Sequence, residues 1–330
     1  MRFPHVDIVK YRAWWFGISA AITIPGLIAV IMCCLTFGAP LKPGIDFTGG
    51  SIMQYEFAKP VELEKVRDTL EHSGFKGSQV QEAMIAGQRV IVMRTKALAD
   101  DKQDEEQKKQ LDAKLQQEFG DYKLLSRDKV SGVVGPELLQ SGLLALFITL
   151  GAMVLYIGSR FQYDFAVCAI IALFHDVIVL CGIFAVLGLA LGTEVDSLFI
   201  SAILTVIGFS VHDTIVVFDR IRENMKFVGS KQINPETKIE TRKTFGDVAN
   251  DSVNQTLARS IYTSLTVLIT LTALYVFGGH TTRDFVLAML IGIISGTYSS
   301  IFNASALLVW WREKKPPKAP AKTSAAAATA

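Results

Sequence analysis

The sequence has little charge and little cysteine for its length. Only 19% of its 330 residues are Asp, Glu, Lys or Arg, whereas 50% are hydrophobic. This balance is too apolar for an ordinary soluble domain and indicates membrane-embedded helices. The four cysteines, Cys33, Cys34, Cys168 and Cys181, all lie in apolar runs. Their placement argues against a disulfide framework or a zinc site and favours a packing role.

Several motifs that carry chemistry are also missing. The sequence has no Gly-rich phosphate loop of Walker type and no H-E-x-x-H, and no two His or Cys lie four residues apart on one apolar run. No basic domain with interleaved aromatic residues occurs. We therefore predict no metal, no cofactor and no nucleic acid partner. An intramembrane enzyme is disfavoured because no nucleophile–base motif is present.

Six apolar runs are long enough to cross a bilayer core of roughly 30 Å. The first is longer than the apolar part of a secretory signal and no A-x-A-like site follows it, so we predict a retained span. Lys and Arg concentrate in the N-terminus, in the segments after spans two and four, and after span six. The positive-inside rule then predicts that both termini are cytoplasmic. The predicted spans are 14–37, 137–158, 163–187, 196–219, 257–279 and 285–311; residues 1–13, 220–256 and 312–330 are predicted to be the cytoplasmic N-terminus, a cytoplasmic loop and a disordered tail.

One large segment, residues 38–136, lies between the first two spans on the outer side. Alternating apolar residues predict strands, and 3.6-residue periodicity with charged outer faces predicts helices. The resulting order, β-α-β-β-α-β, predicts a small α+β domain of ferredoxin-like type with helices on one face of a sheet. The predicted elements are strands 51–57, 79–85, 89–95 and 122–129, helices 61–72 and 104–119, and a turn at 86–88.

Charged residues inside the spans are the most informative feature. Asp at the centre of a membrane helix costs about 2.5–3.5 kcal/mol on insertion scales, so it persists only where it is paired, hydrated or used. Span three contains His175-Asp176, span four contains His212-Asp213, and span five opens with Arg259. We predict that these five residues form the working part of the protein.

Small and polar residues also recur at helical spacing in the last three spans. Such stripes allow close helix packing and interhelical hydrogen bonds. We expect them to join spans four to six into one compact unit with a polar seam. The stripes are Ser197, Ser201, Thr205, Gly208 and His212 in span four, Arg259, Thr263, Thr266 and Thr270 in span five, and Gly292, Gly296, Ser300 and Asn303 in span six.

Asp213 and Arg259 are predicted to lie at matching depths near the cytoplasmic side. Burial favours the neutral acid, whereas a guanidinium within a few Å favours the carboxylate. These opposed effects suit a group that exchanges a proton with modest rearrangement. A static ion pair that locks two helices together is the alternative. His175 and His212 are interpreted as hydrogen-bonding residues of the seam or as members of the relay.

Three motifs resemble SecF proteins, the smaller members of the bacterial SecD–SecF pair in the RND superfamily. The resemblance covers nearly the whole chain. The position before Asp213 is usually Asn in that family but is His212 here, and the loop 225–251 is longer than usual. The motifs are Gly44-Ile45-Asp46-Phe47-Thr48-Gly49-Gly50-Ser51, the run Ile207–Asn224 containing Asp213-Thr214 and Asp219-Arg220, and Val253–Ser260.

The resemblance implies a role in protein export across the bacterial inner membrane. It implies an RND-type half of six spans that pairs with SecD beside the SecYEG channel, with YajC and YidC as further candidate partners. It also implies that the proton-motive force helps to draw preproteins outward after SecA acts. Within the family pattern, Asp213 and Arg259 match the functional aspartate and arginine. Two alternatives remain open at this point, half of a small-molecule exporter and a non-transporting assembly factor.

Overall fold

The computed structural model describes residues 6–75, 78–85, 88–96, 101–130, 134–233, 240–279 and 282–314. Within these residues, six helices are long and apolar enough to cross a membrane. The chain is thus a multi-pass membrane protein. The spans are α1 (Arg12–Phe37), α5 (Val134–Arg160), α6 (Tyr163–Ala190), α7 (Ser197–Asn224), α8 (Phe245–Phe277) and a last span formed by α9 (Arg283–Tyr298), a π-helical segment (Ser299–Ala304) and α10 (Ser305–Lys314).

The outer segment folds as a four-stranded antiparallel sheet with helices on one face. The strand order is β2-β3-β1-β4, the order of a ferredoxin-like domain. A short helix α2, which the sequence did not predict, precedes the first strand. The elements are α2 (Ile45–Thr48), β1 (Gly50–Phe57), α3 (Leu63–His72), β2 (Gln79–Ile85), β3 (Gln88–Lys96), α4 (Asp101–Phe119) and β4 (Tyr122–Val130).

The core of this domain lies between the sheet and the two helices α3 and α4. Alternate residues of β1, such as Met53 and Tyr55, pack against Val66 of α3 and Leu111 of α4. The Tyr55 hydroxyl donates a hydrogen bond of 2.9 Å to Asp112 Oδ1. Burial and the Asp112 carboxylate both raise the pKa of Tyr55, so this buried hydroxyl remains a donor.

The predicted fold class is confirmed, with six membrane helices and a small βαββαβ domain. Residues 86–87 of the predicted turn and most of the predicted tail lie outside the described residues. The segment 220–256, predicted to be a cytoplasmic loop, is helical at both ends. Helix α7 continues to Asn224, and α8 begins at Phe245 with a capping box between Thr244 and Asp247. A short hairpin, β5 (Lys231–Ile233) and β6 (Glu240–Arg242), lies between the two helices.

Helix α6 is central to the membrane part and contacts α1, α5, α7, α9 and the π segment. Its closest neighbour is α1, which approaches it at a pair of glycines. A Cβ atom added to Gly182 would lie 2.7 Å from Gly26 Cα, and one added to Gly26 would lie 2.9 Å from Gly182 Cα. The two helices therefore touch through their backbones, which is the usual use of small residues in membrane helix packing.

We expect Gly182→Leu to separate α1 from α6 and to destabilise the membrane part, since the leucine would overlap backbone atoms that cannot rotate away. The measurement is the thermal unfolding midpoint of the detergent-solubilised protein. Gly151→Leu in α5 is the matched control, because nothing lies within 4 Å of a Cβ added there. Equal unfolding midpoints for the two variants would contradict the assigned α1–α6 contact.

Candidate functional site

Asp213 is buried in the C-terminal half of α7, about 24 Å from the start of the helix at 1.5 Å per residue. Its exposed fraction is 3%. The buried face of this turn also carries Ser210 and Thr214, whereas the neighbouring His212 side chain is exposed. Successive helical residues are about 100° apart, so His212 and Asp213 face different neighbours, as the sequence predicted.

The Asp213 carboxyl group faces α8 and is not fully hydrogen bonded. Ser260 and Ser264 are the polar side chains of α8 beside it. Asp213 Oδ2 and Ser260 Oγ are both buried and make no hydrogen bond. The Ser264 hydroxyl lies 2.6 Å from Thr297 Oγ1 of α9. Unsatisfied polar atoms are costly in a membrane interior, so an orphaned carboxylate oxygen of this kind indicates a functional role.

Arg259 is not the ion-pair partner that the sequence suggested. The helices α7 and α8 are neighbours, but no ion pair within 4.0 Å joins Asp213 to Arg259 among the described residues. Arg259 is exposed, while the next residue, Ser260, is buried beside Asp213. One residue of helix rotates the side chain by about 100°, which places Arg259 on the outer face of the bundle. The structure therefore contains no ion pair between these two side chains that would hold the two helices together.

Asp176 in α6 is a second buried carboxylate, with an exposed fraction of 0%. In contrast to Asp213, both of its oxygens are fully hydrogen bonded. Oδ2 accepts from Ser210 Oγ at 2.5 Å and Ser299 Oγ at 2.7 Å. Oδ1 accepts from Ser295 Oγ at 3.0 Å and lies 3.1 Å from His175 Nδ1. These contacts connect Asp176 to α7, to α9 and to the π segment.

The polar stripes of spans four and five do not line the seam between the helices, so that expectation is wrong. Their members Ser201, Thr205 and His212 in α7, and Arg259 and Thr263 in α8, are exposed on the outside of the chain. Only the stripe of span six faces inward, where Gly292 packs on Val206 and Gly296 on Ser210. The buried seam is made instead by the hydroxyl groups that surround Asp213 and Asp176. We define the exposed residues Ser201, Thr205, His212, Arg259, Thr263, Thr266 and Thr270 as the outer polar face.

Asp46 joins the outer domain to the same helix that carries Asp213. It lies in the short helix α2, and its Oδ2 accepts hydrogen bonds from Ser197 N at 2.9 Å and Ser197 Oγ at 2.5 Å. Ser197 is the first residue of α7, where the free N–H groups and the helix dipole favour a carboxylate. The backbone adds Gly44 N to Val195 O at 2.8 Å. The start of α7 is thus bonded directly to α2.

The remaining residues of the Gly44–Gly50 motif stabilise this junction between α2 and α7. They contact the membrane helices on one side and the sheet on the other. Thr48 Oγ1 donates to Gly44 O and so closes α2, and Phe47 is buried against the membrane helices. Gly49 ends α2 and leads into β1. At Gly50, where φ is +141°, a Cβ would lie 2.3 Å from Thr95 O, so only glycine fits there.

Glu194 adds an ionic contact beside the junction. Its Oε1 lies 3.2 Å from Lys42 Nζ and 3.0 Å from Arg94 Nη1 of strand β3. The Glu194 side chain is mostly buried, so this contact is better shielded from water than a surface ion pair. The outer domain is therefore fixed at two places, by Asp46 to the first residue of α7 and by Arg94 to Glu194 in the α6–α7 loop.

The Asp219-Arg220 pair of the second motif lies at the C-terminal end of α7 and away from Asp213. Asp219 Oδ2 is 3.1 Å from Arg160 Nη2 at the end of α5. Arg220 Nε donates to Gln255 Oε1 of α8 at 2.6 Å. These contacts connect helix ends at the surface. In the part of the chain that the structure describes, no three His, Cys, Asp or Glu side chains are grouped to hold a metal ion.

Two family profiles match the chain. The profile of the C-terminal part of protein export membrane proteins SecD/SecF matches residues 110–314, and that of the SecD/SecF GG motif matches residues 35–61. The chain belongs to the SecD/SecF family. The GG-motif match contains the Gly44–Gly50 junction. The C-terminal match contains Asp213, Asp176 and the outer polar face.

Relatives of known name are similar in sequence to this chain over nearly its whole length. Protein translocase subunit SecF of Thermobaculum terrenum is 44% identical over 94% of this chain and 95% of its own length. Protein translocase subunit SecDF of Thermus thermophilus is 35% identical over 94% of this chain but only 40% of its own length. As a member of this family, the chain is an accessory subunit of the Sec protein-export machinery.

The fold agrees with solved structures of SecDF. The crystal structure of SecDF from Thermus thermophilus superimposes with a TM-score of 0.76 at 32% identity, covering 95% of this chain and 39% of the SecDF chain. SecDF in a form called super-membrane-facing gives a TM-score of 0.62 over 94% of this chain. The chain therefore spans about two fifths of the length of SecDF.

The sequence reasoning missed the serine residues that surround the two carboxylates. Ser260 and Ser264 are four residues apart in α8, as are Ser295 and Ser299 in the last span. This spacing places each pair on one helix face and was an available signal. It was overlooked because the neighbouring threonine stripe in α8 gave a longer pattern.

Proposed function

We propose that this chain couples the proton-motive force to late steps of preprotein translocation, with Asp213 as the proton-binding group. The observation that carries the proposal is the buried Asp213 carboxyl, whose Oδ2 has no hydrogen bond although it lies beside the hydroxyls of α8. A carboxyl group that is neither paired nor fully hydrogen bonded can gain or lose a proton without breaking a strong contact. The chain acts by binding and conformational change rather than as an enzyme.

The available energy fits a conformational step of moderate size. One proton that crosses 100 mV releases about 2.3 kcal/mol. Since 1.4 kcal/mol corresponds to a factor of ten, this shifts a two-state equilibrium by about fiftyfold. The step is communicated from Asp213 along the single helix α7 to Ser197, which Asp46 bonds to the outer domain. A shift of α7 and α8 relative to each other would thereby change the position of that domain relative to α8.

A SecD-type chain is the partner that covers the outer polar face. Arg259 and His212 would otherwise face lipid, where an unpaired charge is costly. In the SecDF relative the matching region is 40% of one longer chain, which leaves a second part to supply the opposing surface. We assign the exposed residues His212 and Arg259 to this interface.

Bulk added to the outer polar face should block assembly with the SecD-type partner. We expect Thr263→Trp to reduce co-purification of the partner at least tenfold. Leu265→Trp is the matched control, because it lies at nearly the same depth of α8 but about 160° around the helix. Co-purification is measured in detergent with a tagged chain. A reduction that is equal for both variants would contradict the placement of the interface.

The family and the charge pattern support a proposal for the wider assembly. SecDF from Thermus thermophilus is described as a translocon-associated membrane protein. We therefore place this chain beside a SecYEG channel in the bacterial inner membrane, with both termini in the cytoplasm and the ferredoxin-like domain outside. YajC and YidC are further partners, and the emerging preprotein is the substrate.

The proposal is tested in vesicles that contain SecYEG, SecA, this chain and its SecD-type partner. Completion of preprotein transport is measured with and without an imposed proton gradient. We expect the two subunits to accelerate completion several-fold only when the gradient is present, and an ionophore to abolish the gain. An equal gain without a gradient would show a non-transporting assembly role instead.

A further inference from the structure

Asp176 forms the most completely bonded polar cluster inside the membrane part. The carboxylate has no exposed surface and makes four polar contacts at 2.5–3.1 Å, from α6 itself, α7, α9 and the π segment. Burial of a charge is costly unless such contacts compensate it. Once they are formed, removing any of them leaves a buried polar atom without a partner. The cluster is therefore suited to fix helices rather than to release them.

The π segment of the last span extends this cluster to the turn that carries Asp213. Ser299 donates to Asp176, and the next residue, Ser300, lies 2.8 Å from Thr214 Oγ1. Ser300 Oγ also donates to Ser210 O at 3.2 Å. π-Helical turns are rare and frequent at functional sites. Here the π turn places two successive hydroxyl groups in contact with two different helices, α6 and α7.

The Asp213 turn is consequently held on one side only. Towards α6 and the last span it is fixed by Ser210, bonded to Asp176, and by Thr214, adjacent to Ser300. Towards α8 the facing atoms are Asp213 Oδ2 and Ser260 Oγ, neither of which is hydrogen bonded. Any rearrangement at Asp213 should therefore open or close the contact with α8.

We propose that Asp176 is a positioning residue that clamps the Asp213 turn of α7 to the last span, so that α8 is the helix that moves. The clamp consists of Asp176, Ser210, Thr214, Ser299 and Ser300. The inference rests on the proposed role of Asp213. It adds which contacts stay fixed and which contact changes when Asp213 gains or loses a proton.

Two engineered cysteine pairs test separately the contact that is proposed to stay fixed and the contact that is proposed to move. Thr214→Cys with Ser300→Cys joins α7 to the π segment, and Ser264→Cys with Thr297→Cys joins α8 to α9. The two native hydroxyl pairs are 2.8 and 2.6 Å apart, so both are close enough for a disulfide to replace the contact. Both pairs are placed in a chain whose four native cysteines are replaced by alanine and which retains export.

We expect opposite effects of oxidation on gradient-driven export in vesicles. The disulfide across α7 and the π segment should give at least the activity of its reduced form. The disulfide across α8 and α9 should reduce activity at least tenfold, and a reductant should restore it. Loss of export on oxidation of the first pair, or full export on oxidation of the second, would overturn the proposal.

The rate of disulfide formation provides a readout that is independent of export. We expect the α8–α9 pair to change its rate at least threefold when the gradient is applied, and Asp213→Asn to abolish that change. The α7–π pair should form at the same rate in all conditions. If the gradient has no effect on export itself, the proposed function fails; if export responds but both pairs keep constant rates, only the clamp fails.

Single substitutions test the clamp without cysteines. Ser299→Ala removes one bond to Asp176 and should lower gradient-driven export at least threefold, with unchanged amounts of protein in the membrane. Ser299→Thr keeps the hydroxyl group and should restore most of the gradient-driven export. Ser305→Ala is the control, because this buried hydroxyl donates only to Ile301 O of its own helix. Equal export by Ser299→Ala and Ser305→Ala would contradict the role of the cluster.

Discussion

Asp213→Asn is expected to reduce the gradient-dependent part of preprotein export at least tenfold while the chain still assembles with its SecD-type partner. The amide has nearly the same shape as the acid but cannot exchange a proton in this pH range. Asp213 Oδ2 makes no hydrogen bond, so replacing this oxygen by an amide nitrogen breaks no existing bond at that position. Export is measured in inside-out vesicles with and without a gradient, and assembly by co-purification.

Glu223→Gln is the matched control for that substitution. Glu223 lies on the same helix, but it is exposed and forms an i,i+3 pair with Arg220. Exposed pairs contribute about 0–1 kcal/mol. Its loss should leave export unchanged. If Asp213→Asn exported as well as Glu223→Gln does under a gradient, Asp213 would be a structural residue and the coupling account would be wrong.

Asp46→Ala is expected to uncouple the outer domain from α7 and to reduce gradient-driven export at least fivefold. The substitution removes two hydrogen bonds to the first residue of α7. Hydrogen bonds to a charged group contribute about 1.5–3 kcal/mol each, so the two together exceed the roughly 2.3 kcal/mol that one proton releases across 100 mV. The relative motion of α7 and α8 would then no longer be passed to the outer domain, whereas the protonation of Asp213 would persist.

Asp68→Ala is the control for the junction, because Asp68 is an exposed residue of α3 in the same domain. Export and protonation of Asp213 are measured on the same preparations. Normal export by Asp46→Ala would show that the outer domain does not need this connection. A simultaneous loss of Asp213 protonation would show that the damage extends into the membrane part.

The strands of the outer domain could be predicted almost to the residue, because each has one wet face and one buried face. Strands 79–85 and 122–129 were placed within one residue of their observed ends. Water on one side of each element imposes a period of two or of 3.6 on the hydrophobic residues. The six spans were equally clear, since length and hydropathy alone identify them.

The directions of the side chains within the membrane could not be predicted in the same way. Lipid is as apolar as the protein core, so hydrophobic periodicity does not separate the inner from the outer face of a span. Small and hydroxyl residues serve both helix packing and partner contact, which is why the Thr263 stripe was assigned to the interior although it faces outward. The predicted Asp213–Arg259 pair failed for the same reason.

Helix ends and irregular turns were the other source of error. The extension of α8 back to Phe245 depends on a capping box in a polar segment, which carries no membrane signal. The π segment at Ser299–Ala304 depends on contacts with three other helices, through Ser299, Ser300 and Asn303. Such contacts are tertiary, and no local propensity encodes them.

The protonation state of Asp213 in the assembled complex is the most direct test of the account. Infrared difference spectra are recorded while the pH is stepped on the complex in lipid, and the carboxyl band of Asp213 is assigned by its loss in Asp213→Asn. The account predicts a buried carboxylic-acid band that appears and disappears reversibly and whose transition shifts when preprotein is engaged. A carboxyl band that stays constant across all conditions would contradict it.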